Sequence, residues 1–484
     1  MPTGKSGRML PSLARFDTWS KGLALPLAAL TLFVALSALV RPVLPPDETR
    51  YLTVALEMLR AHQFVLPSLN GQLYEQKPPL LFWIIAAIWD LTGVSRAGAL
   101  AAITLISGLA VVLTRRLAAE LFPADDALVQ RVGWAMVGNA VFAIYTGLIL
   151  FDLLLTDCLL VFLLALTAHA RAPAVWKILV AGLGFGLSLL AKGPVGLIFL
   201  APVIASYALW RDGRQVLSTR RFFLSALAAI GLGVLVTAAW LVPAYIASRG
   251  AYLEGLIFGQ IAGRVSGDMA ASHARPIWFF LPLLPVLALP WLLSPLVWAR
   301  HRTSLRHPIV TAKTLWHERP VLRLLTVAIL VPIVVFSAIA GKQPHYLVPL
   351  LPFVAILSAF AMRDLKHLMI ALGATITLSL LLIAQLIASR TVFDRDDLTP
   401  LARTVETWPG PVAFAGHYQG ELGFLAQLKQ PIAVVPLDMA AGWLGAHPGG
   451  LLVSSEFKTG DALPGRILID RPFKSDQRMT ASTN

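Results

Sequence analysis

Apolar runs of membrane-spanning length, separated by short charged turns, set the pattern of this chain from residue 23 to residue 388. A helix needs about 20 apolar residues to cross a bilayer. Runs near that length lie at residues 23–40, 97–117, 132–147, 150–170, 175–190 and 195–209. Five more follow at 222–247, 277–298, 324–340, 346–361 and 368–388. Residues 80–94 are also apolar, but about 15 residues make a helix of only roughly 22 Å, which predicts a re-entrant or interfacial helix. The pattern predicts an all-α polytopic membrane protein with about 11 to 13 transmembrane helices.

Two other patterns interrupt the runs. Leu52, Ala55, Leu56 and Leu59 fall at i, i+3, i+4 and i+7 within residues 48–61, which predicts an amphipathic juxtamembrane helix lying along the membrane surface. Asp47 then stands at its N-terminus, where the helix dipole favours a carboxylate, and Pro45 and Pro46 stop the preceding span. From residue 391 charges and prolines increase, and short β-prone runs occur at 411–415, 432–435, 451–454 and 467–470. A helix is expected over 421–428 and a frayed tail from about residue 472. The expected division is a transmembrane domain over residues 1–390, with 41–79 as its first extramembrane loop, and a small α/β domain over 391–484.

Composition strengthens this picture. The chain has 484 residues, 57% of them hydrophobic and 14% charged, with a mean hydropathy of +0.72. The net charge of +14 sits mostly in short loops between apolar runs, as the positive-inside rule expects, and forms no continuous basic face for nucleic acid. The single Cys158 excludes an internal disulfide or a cysteine-rich zinc site. Residues 391–484 carry no P-loop or dinucleotide fingerprint.

The loops at 211–221, 300–323 and 363–367 are strongly basic and are expected in the cytoplasm. The basic segment Lys5 to Lys21 ahead of the first run resembles a signal sequence, and is read as the cytoplasmic flank of a retained first helix. This threading places the loop at 41–79, the Asp152 end of its helix, Lys192-Gly193-Pro194, the loop at 248–275 and the Gly341–His345 turn together on the outer face.

Those places hold the ionisable residues that could carry chemistry, because a charge at the mouth of a membrane protein must be solvated, paired or neutralised by a ligand. Asp47 is a candidate base or sugar-holding group, or simply a helix cap. Glu48, Arg50 and Tyr51 share its first turn, and Arg50 suits bidentate phosphate binding or a headgroup anchor. Tyr74, Glu75 and Lys77 precede Pro78-Pro79, which rigidify the chain where it re-enters the membrane. Lys77 there suits an anionic headgroup, or snorkels. Asp152 and Asp157 lie inside an apolar run about 140° apart on a helix, so they are not expected to share a partner; Asp152 is the nearer to the outer end, and Asp157 has the alternative of pairing with a neighbouring hydroxyl or lysine. Lys192, His273, Arg275, Lys342, His345 and Tyr346 complete a positive and titratable ring suited to a phosphate leaving group. The carboxylates show no compact metal-ligand spacing, so a divalent metal is possible but undecided.

In order, Asp47-Glu48-x-Arg50-Tyr51, Tyr74-x-x-Lys77-Pro78-Pro79-Leu80-Leu81-x-Trp83, Leu150-Phe151-Asp152-Leu153-Leu154-Leu155-Thr156 and Leu190-Ala191-Lys192-Gly193-Pro194 resemble the signature of bacterial aminoarabinose-transferase-like enzymes. These stand with the dolichyl-phosphate-mannose protein mannosyltransferases among the GT-C integral-membrane glycosyltransferases. His273-x-Arg275-Pro276, Pro290-Trp291 and Gly341-Lys342-x-Pro344-His345-Tyr346-Leu347 extend the resemblance to about residue 388. It implies a polyprenyl-phosphate sugar donor such as an undecaprenyl phosphate sugar, an acceptor such as lipid A or another cell-envelope glycan at the periplasmic face of the bacterial inner membrane, and inversion at the anomeric carbon. It also implies a catalytic role for Asp47, lipid-phosphate contacts for Arg50 and Lys77, and cavity-lining positions for Asp152, Lys192, His273, Lys342 and Tyr346. One departure stands out: Gln76 occupies the position before Lys77 where the family usually has an acid, and Glu75 lies one residue earlier.

Two alternatives accompany this reading. Protein O-mannosyl transfer is the nearer one. A proton-coupled transporter or lipid flippase, using Asp152, Asp157 and Lys192 as an ion path, is the more distant, and the chain lacks the internal repeats such proteins often show.

Overall fold

The computed structural model describes residues 22–256, 274–300, 308–474 and 476–484. The expectation for residues 1–21 lies outside them. The described residues begin with α1 (Ala24–Val40) and α2 (Asp47–Arg60), then a two-stranded hairpin of β1 (Ser68–Leu69) and β2 (Gln72–Leu73), and the short α3 (Leu80–Thr92). The bundle continues with α4 (Arg96–Leu121), α5 (Asp126–Val137), α6 (Ala140–Thr146), α7 (Asp152–Arg171), α8 (Val175–Lys192), α9 (Gly196–Ala205) and α10 (Thr219–Ala247). It closes with α11 (Pro320–Ala338), α12 (Leu351–Ala361) and α13 (His367–Ala388).

Among the described residues seven helical stretches are long and apolar enough to cross a membrane, or eight if the bent pair α5–α6 counts as one span. The protein is a multi-pass membrane protein, and its shortfall from about 11 to 13 full-length helices falls on the first helix, which is 17 residues long, and on segments the sequence breaks. The run expected at 132–147 bends by 57° between α5 and α6. There Asn139 accepts from the Phe142 N–H at 3.0 Å and donates to the Leu287 carbonyl at 2.6 Å, and the Ala140 N–H reaches the Leu289 carbonyl. The backbone groups freed by the break are thus satisfied inside protein, as a low-dielectric setting requires. The run expected at 277–298 is split into short turns at Ile277–Phe280, Leu283–Val286 and Trp291–Leu293, because Pro282, Pro285 and Pro290 each remove a helix donor.

The continuous helical stretch Val175–Ala205 reverses direction after Lys192. α8 and α10 run parallel, since Gly182 faces Leu232 and Gly186 faces Val236. The chain between them must therefore return, and α9 does so: Phe199 packs on Phe336 near the end of α11, while the Leu209 carbonyl accepts from Arg323 near its start. At that second end Phe122, Asp125, Arg214, Arg319, Pro320 and Arg363 line one depression. The basic loops thus gather at one end of the bundle, and Asp47, Asp152 and Lys192 lie at the other.

The C-terminal domain packs a five-stranded sheet of β3 (Val412–Ala415), β4 (Ala433–Val435), β5 (Leu451–Lys458), β6 (Arg466–Phe473) and β7 (Gln477–Thr483), in the order β4-β3-β5-β7-β6. β3 pairs parallel with β4 and β5, whereas β7 pairs antiparallel with β5 and β6. The expected frayed tail is therefore an interior strand. Its Thr480 and Ser482 are buried, and such polar residues disguise a strand that has neighbours on both sides. The expected helix at 421–428 is instead a series of turns.

Those turns explain a second correction. α2 does not lie open on a membrane surface; it is buried from Glu48 to Leu56 and again at Met58. Its polar side is covered by the C-terminal domain. Thr53 donates to the Gly420 carbonyl at 3.0 Å and accepts from the Phe424 N–H at 2.9 Å. Arg60 donates to the Leu428 carbonyl at 2.6 Å, and Asn70 exchanges two bonds with the backbone of Ile432. Phe424 stacks on Trp89 with ring centroids 5.4 Å apart.

Two outcomes follow from this packing. A Cβ at Gly233 would lie 2.6 Å from Phe185 and 2.7 Å from the backbone of Gly182 and Gly186, whereas Gly231 has nothing within 4 Å. Gly233→Leu should lower stability by about 1–3 kcal/mol in thermal unfolding of the solubilised protein, and Gly231→Leu should be near neutral. Glu421 is buried in the docking turns, and burial raises its carboxyl above its ordinary value of 4.5 although Gln419 donates to it and Arg50 is near. A raised carboxyl means the folded state holds its proton longer, so this stabilisation is present below 4.5 and is lost as pH rises through the folded value. Glu421→Gln should remove that decline, so its melting curve gains on the wild type as pH rises; parallel curves would contradict the assignment.

Candidate active site

Glu48 fixes the first turn of α2. Its Oε2 accepts from the Leu44 N–H at 2.8 Å and its Oε1 from the Ile149 N–H at 2.8 Å. Arg41, at the end of α1, forks onto the same carboxylate and also donates to the Gly147 carbonyl. Expected as a substrate contact, Glu48 is 2% exposed and ties three chain segments together. Its neighbour Asp47 projects elsewhere and is half-exposed, with Oδ1 3.8 Å from Arg50 Nη1. Arg50 also donates to Gln76 Oε1 at 2.8 Å and to the side chain of Gln419 in the C-terminal domain.

Asp152 opens α7 and Lys192 closes α8, so each charge sits at the helix end whose dipole suits it. They meet: Lys192 Nζ donates to Asp152 Oδ1 at 2.5 Å, with both side chains at least nine-tenths buried. Lys192 also lies 5.4 Å above the Tyr346 ring. Beside this pair is a mainly apolar cavity of about 230 Å³, with Gln76, Lys77, Lys192 and Tyr346 on its wall and Ile198, Leu256 and Phe336 as apolar lining. His345 lies within electrostatic range of Asp152, Lys192, Lys77 and Asp47, and Tyr51 within range of Asp47 and Asp152, so residues far apart in sequence face one region.

The remaining candidates fall into different settings. Tyr51 packs edge-on against Phe151 at 5.0 Å, and Tyr74 against Phe82 at 6.0 Å, in a buried aromatic cluster under α2. Glu75 lies against Gly255. Lys342, expected to face phosphate, donates to the carbonyls of Arg275 at 2.9 Å and Ile339 at 2.5 Å, beside the backbone bridge between Ala274 and Gly341. Burial lowers its pKa below the ordinary lysine value. The Arg275 guanidinium is exposed over Phe279. Asp157 is buried with both oxygens lacking a hydrogen-bond partner, so the expected hydroxyl or lysine is not there. His273 lies outside the described residues. Among the described residues no three His, Cys, Asp or Glu side chains gather in one place. Sequence reading missed Arg41, whose only signal is its place at a span end, and Gln419, which has none.

The Asp152–Lys192 pair should be needed for stability as well as for placing charge. Removing one member of a buried pair leaves the other uncompensated, at about 3–5 kcal/mol. Asp152→Asn should therefore lower thermal stability strongly, and adding Lys192→Met should recover most of it, read by unfolding of the solubilised protein.

Comparison with known proteins adds an independent line. Residues 76–241 match the family model described as dolichyl-phosphate-mannose-protein mannosyltransferase. An undecaprenyl phosphate-alpha-4-amino-4-deoxy-L-arabinose arabinosyl transferase of Pseudomonas paraeruginosa is 31% identical over 360 residues, covering 72% of this chain and 60% of the relative. One from Pseudomonas aeruginosa is 31% identical over 361 residues, with the same coverage. The chain spans about 60% of the length of these curated relatives. Among solved structures, ArnT from Cupriavidus metallidurans bound to undecaprenyl phosphate superposes with a TM-score of 0.71 at 17% identity, covering 95% of this chain and 97% of that one. In fold over nearly its whole length, and in sequence over most of it, the chain resembles the GT-C integral-membrane glycosyltransferases of the aminoarabinose-transferase kind.

Proposed function

We propose that this protein is a glycosyltransferase that moves a sugar from a polyprenyl phosphate to lipid A or another cell-envelope acceptor, with inversion at the anomeric carbon. The observation that carries the reading is a half-exposed carboxylate, Asp47, beside Arg50, whose partner Gln76 lines a cavity that is apolar over most of its wall and cationic at Lys77 and Lys192. Such a wall suits a lipid phosphate: the polyprenyl chain lies against Ile198, Leu256 and Phe336, and the phosphate meets the lysines. An ammonium has three N–H groups, and the carboxylate of Asp152 takes one, so Lys192 is held in place with N–H groups left to donate. The likeness to aminoarabinose transferases supports the same donor class.

In this mechanism the acceptor oxygen attacks C1 of the sugar as the bond from C1 to the phosphate oxygen breaks. The electron pair leaves with the polyprenyl phosphate, whose charge Lys77, Lys192 and Arg50 stabilise. With a hydroxyl acceptor the proton passes to Asp47. With a phosphate acceptor the nucleophile is already ionised, and Asp47 instead orients groups or stabilises positive charge growing at C1. The basic loops at the opposite end of the bundle support an orientation with the site and the C-terminal domain outside the cytoplasm, in a bacterial inner membrane.

The test is transfer of labelled sugar from extracted polyprenyl-phosphate sugars to cell-envelope lipids by the purified protein. Asp47→Asn should retain the wild-type melting temperature and lose transfer by about 100-fold or more. Wild-type protein that transfers nothing but drives proton-coupled uptake in proteoliposomes would overturn the reading.

A further inference from the structure

The C-terminal domain reaches the site through residue 419. Turns at residues 419–424 rest on the backbone of α2, and Gly420, at a φ of +86°, makes the approach feasible: a Cβ there would lie 3.1 Å from the Arg50 Cα and 2.8 Å from Leu69. Glu421 receives the Gln419 N–H at 2.6 Å and so sets the direction of residue 419. Gln419 then offers Arg50 two acceptors, its side-chain oxygen to Nη2 and its backbone carbonyl to Nε at 3.4 Å. Gln76 takes Nη1 from the other side at 2.8 Å. Each partner is neutral, and the carboxylate within ion-pair range of Arg50 among the described residues is that of Asp47.

We infer that Gln419 is a positioning residue for sugar transfer, which together with Gln76 clamps the Arg50 guanidinium beside Asp47, so that the C-terminal domain completes the active site. The inference rests on the glycosyl-transfer reading and deepens it. Arg50 has a long side chain with much rotamer freedom, so an unclamped guanidinium would sample many positions away from the phosphate. Neutral clamps hold it without cancelling its charge. Two carboxylates in their place would turn the same geometry into a neutralised ion pair.

The experiment measures donor-dependent transfer by the full-length chain. Gln419→Ala should lower kcat about tenfold with a melting temperature close to wild type. The Gln419→Ala/Arg50→Ala double variant should be no worse than Arg50→Ala alone, because the first residue acts through the second. Gln419→Glu keeps the size and the acceptor oxygen but adds a charge on Arg50, and should raise the donor KM. Asn70→Ala breaks docking bonds elsewhere on the same domain, so it should lower the melting temperature and leave turnover intact. Independent losses in the double variant, or an equal loss in Asn70→Ala, would overturn the clamp and leave only a docking role. A wild type inactive with every donor would instead defeat the transfer reading beneath it.

Discussion

The site depends on where one buried carboxylate points. Glu48 accepts from two backbone N–H groups and a forked arginine, and in doing so it joins the end of α1, the start of α2 and the segment that leads into α7. Successive residues on a helix project about 100° apart. With Glu48 held inward by four donors, Asp47 is turned outward toward Arg50, whose partner Gln76 lines the cavity. A charge buried this completely is tolerable only because every lone-pair direction is met. The arrangement is therefore rigid, and the half-exposed carboxylate inherits that rigidity from a neighbour with no access to substrate.

The second constraint concerns cations in an apolar wall. A free ammonium beside Ile198 and Phe336 would be strongly disfavoured in the absence of a ligand. Asp152 solves this by pairing with Lys192 across the ends of adjacent helices, while the aromatic face of Tyr346 supports the same charge. The reversal of the chain after Lys192 belongs to this solution. It presents the C-terminal end of α8 at the cavity and lets α9 return along α11, so the lysine stands at a break rather than mid-helix. Lys342 shows the contrasting outcome, a lysine whose ammonium is given to two backbone carbonyls and which serves the turn that carries Tyr346.

What the sequence made legible is what charge in an apolar context makes legible. Asp47, Lys77, Asp152 and Lys192 are conspicuous because each interrupts or borders a span, and the fold brings their surroundings together at one end of the bundle. Helix breaks were harder to see, since hydropathy alone does not distinguish a straight helix from one bent at Gly138-Asn139 or splintered by Pro282, Pro285 and Pro290. The last strand was hidden because the buried Thr480 and Ser482 alternate with Met479 and Ala481, so no run of aliphatic residues marks it. Gln419 was invisible for a different reason. Its partner is 369 residues away, and a glutamine in a turn carries no local pattern that points to a distant guanidinium.

The absence of an acid at position 76 reads differently once that guanidinium is placed. In the sequence, Gln76 is a departure that puts substrate contacts in doubt. In the structure it is the acceptor for Arg50 Nη1, opposite a second glutamine from another domain. A carboxylate at 76 would hold Arg50 as firmly and would also claim its charge, leaving less of the field for Asp47 and for a phosphate. A neutral amide separates the two jobs, since hydrogen-bond geometry fixes the guanidinium while its charge stays unspent. Glu75 cannot resume the acid's role from one residue earlier, because it faces Gly255 on a different side of the chain. The substitution at 76 and the glutamine at 419 therefore make sense as one device, in which the small domain supplies half of the clamp and the first membrane loop supplies the other.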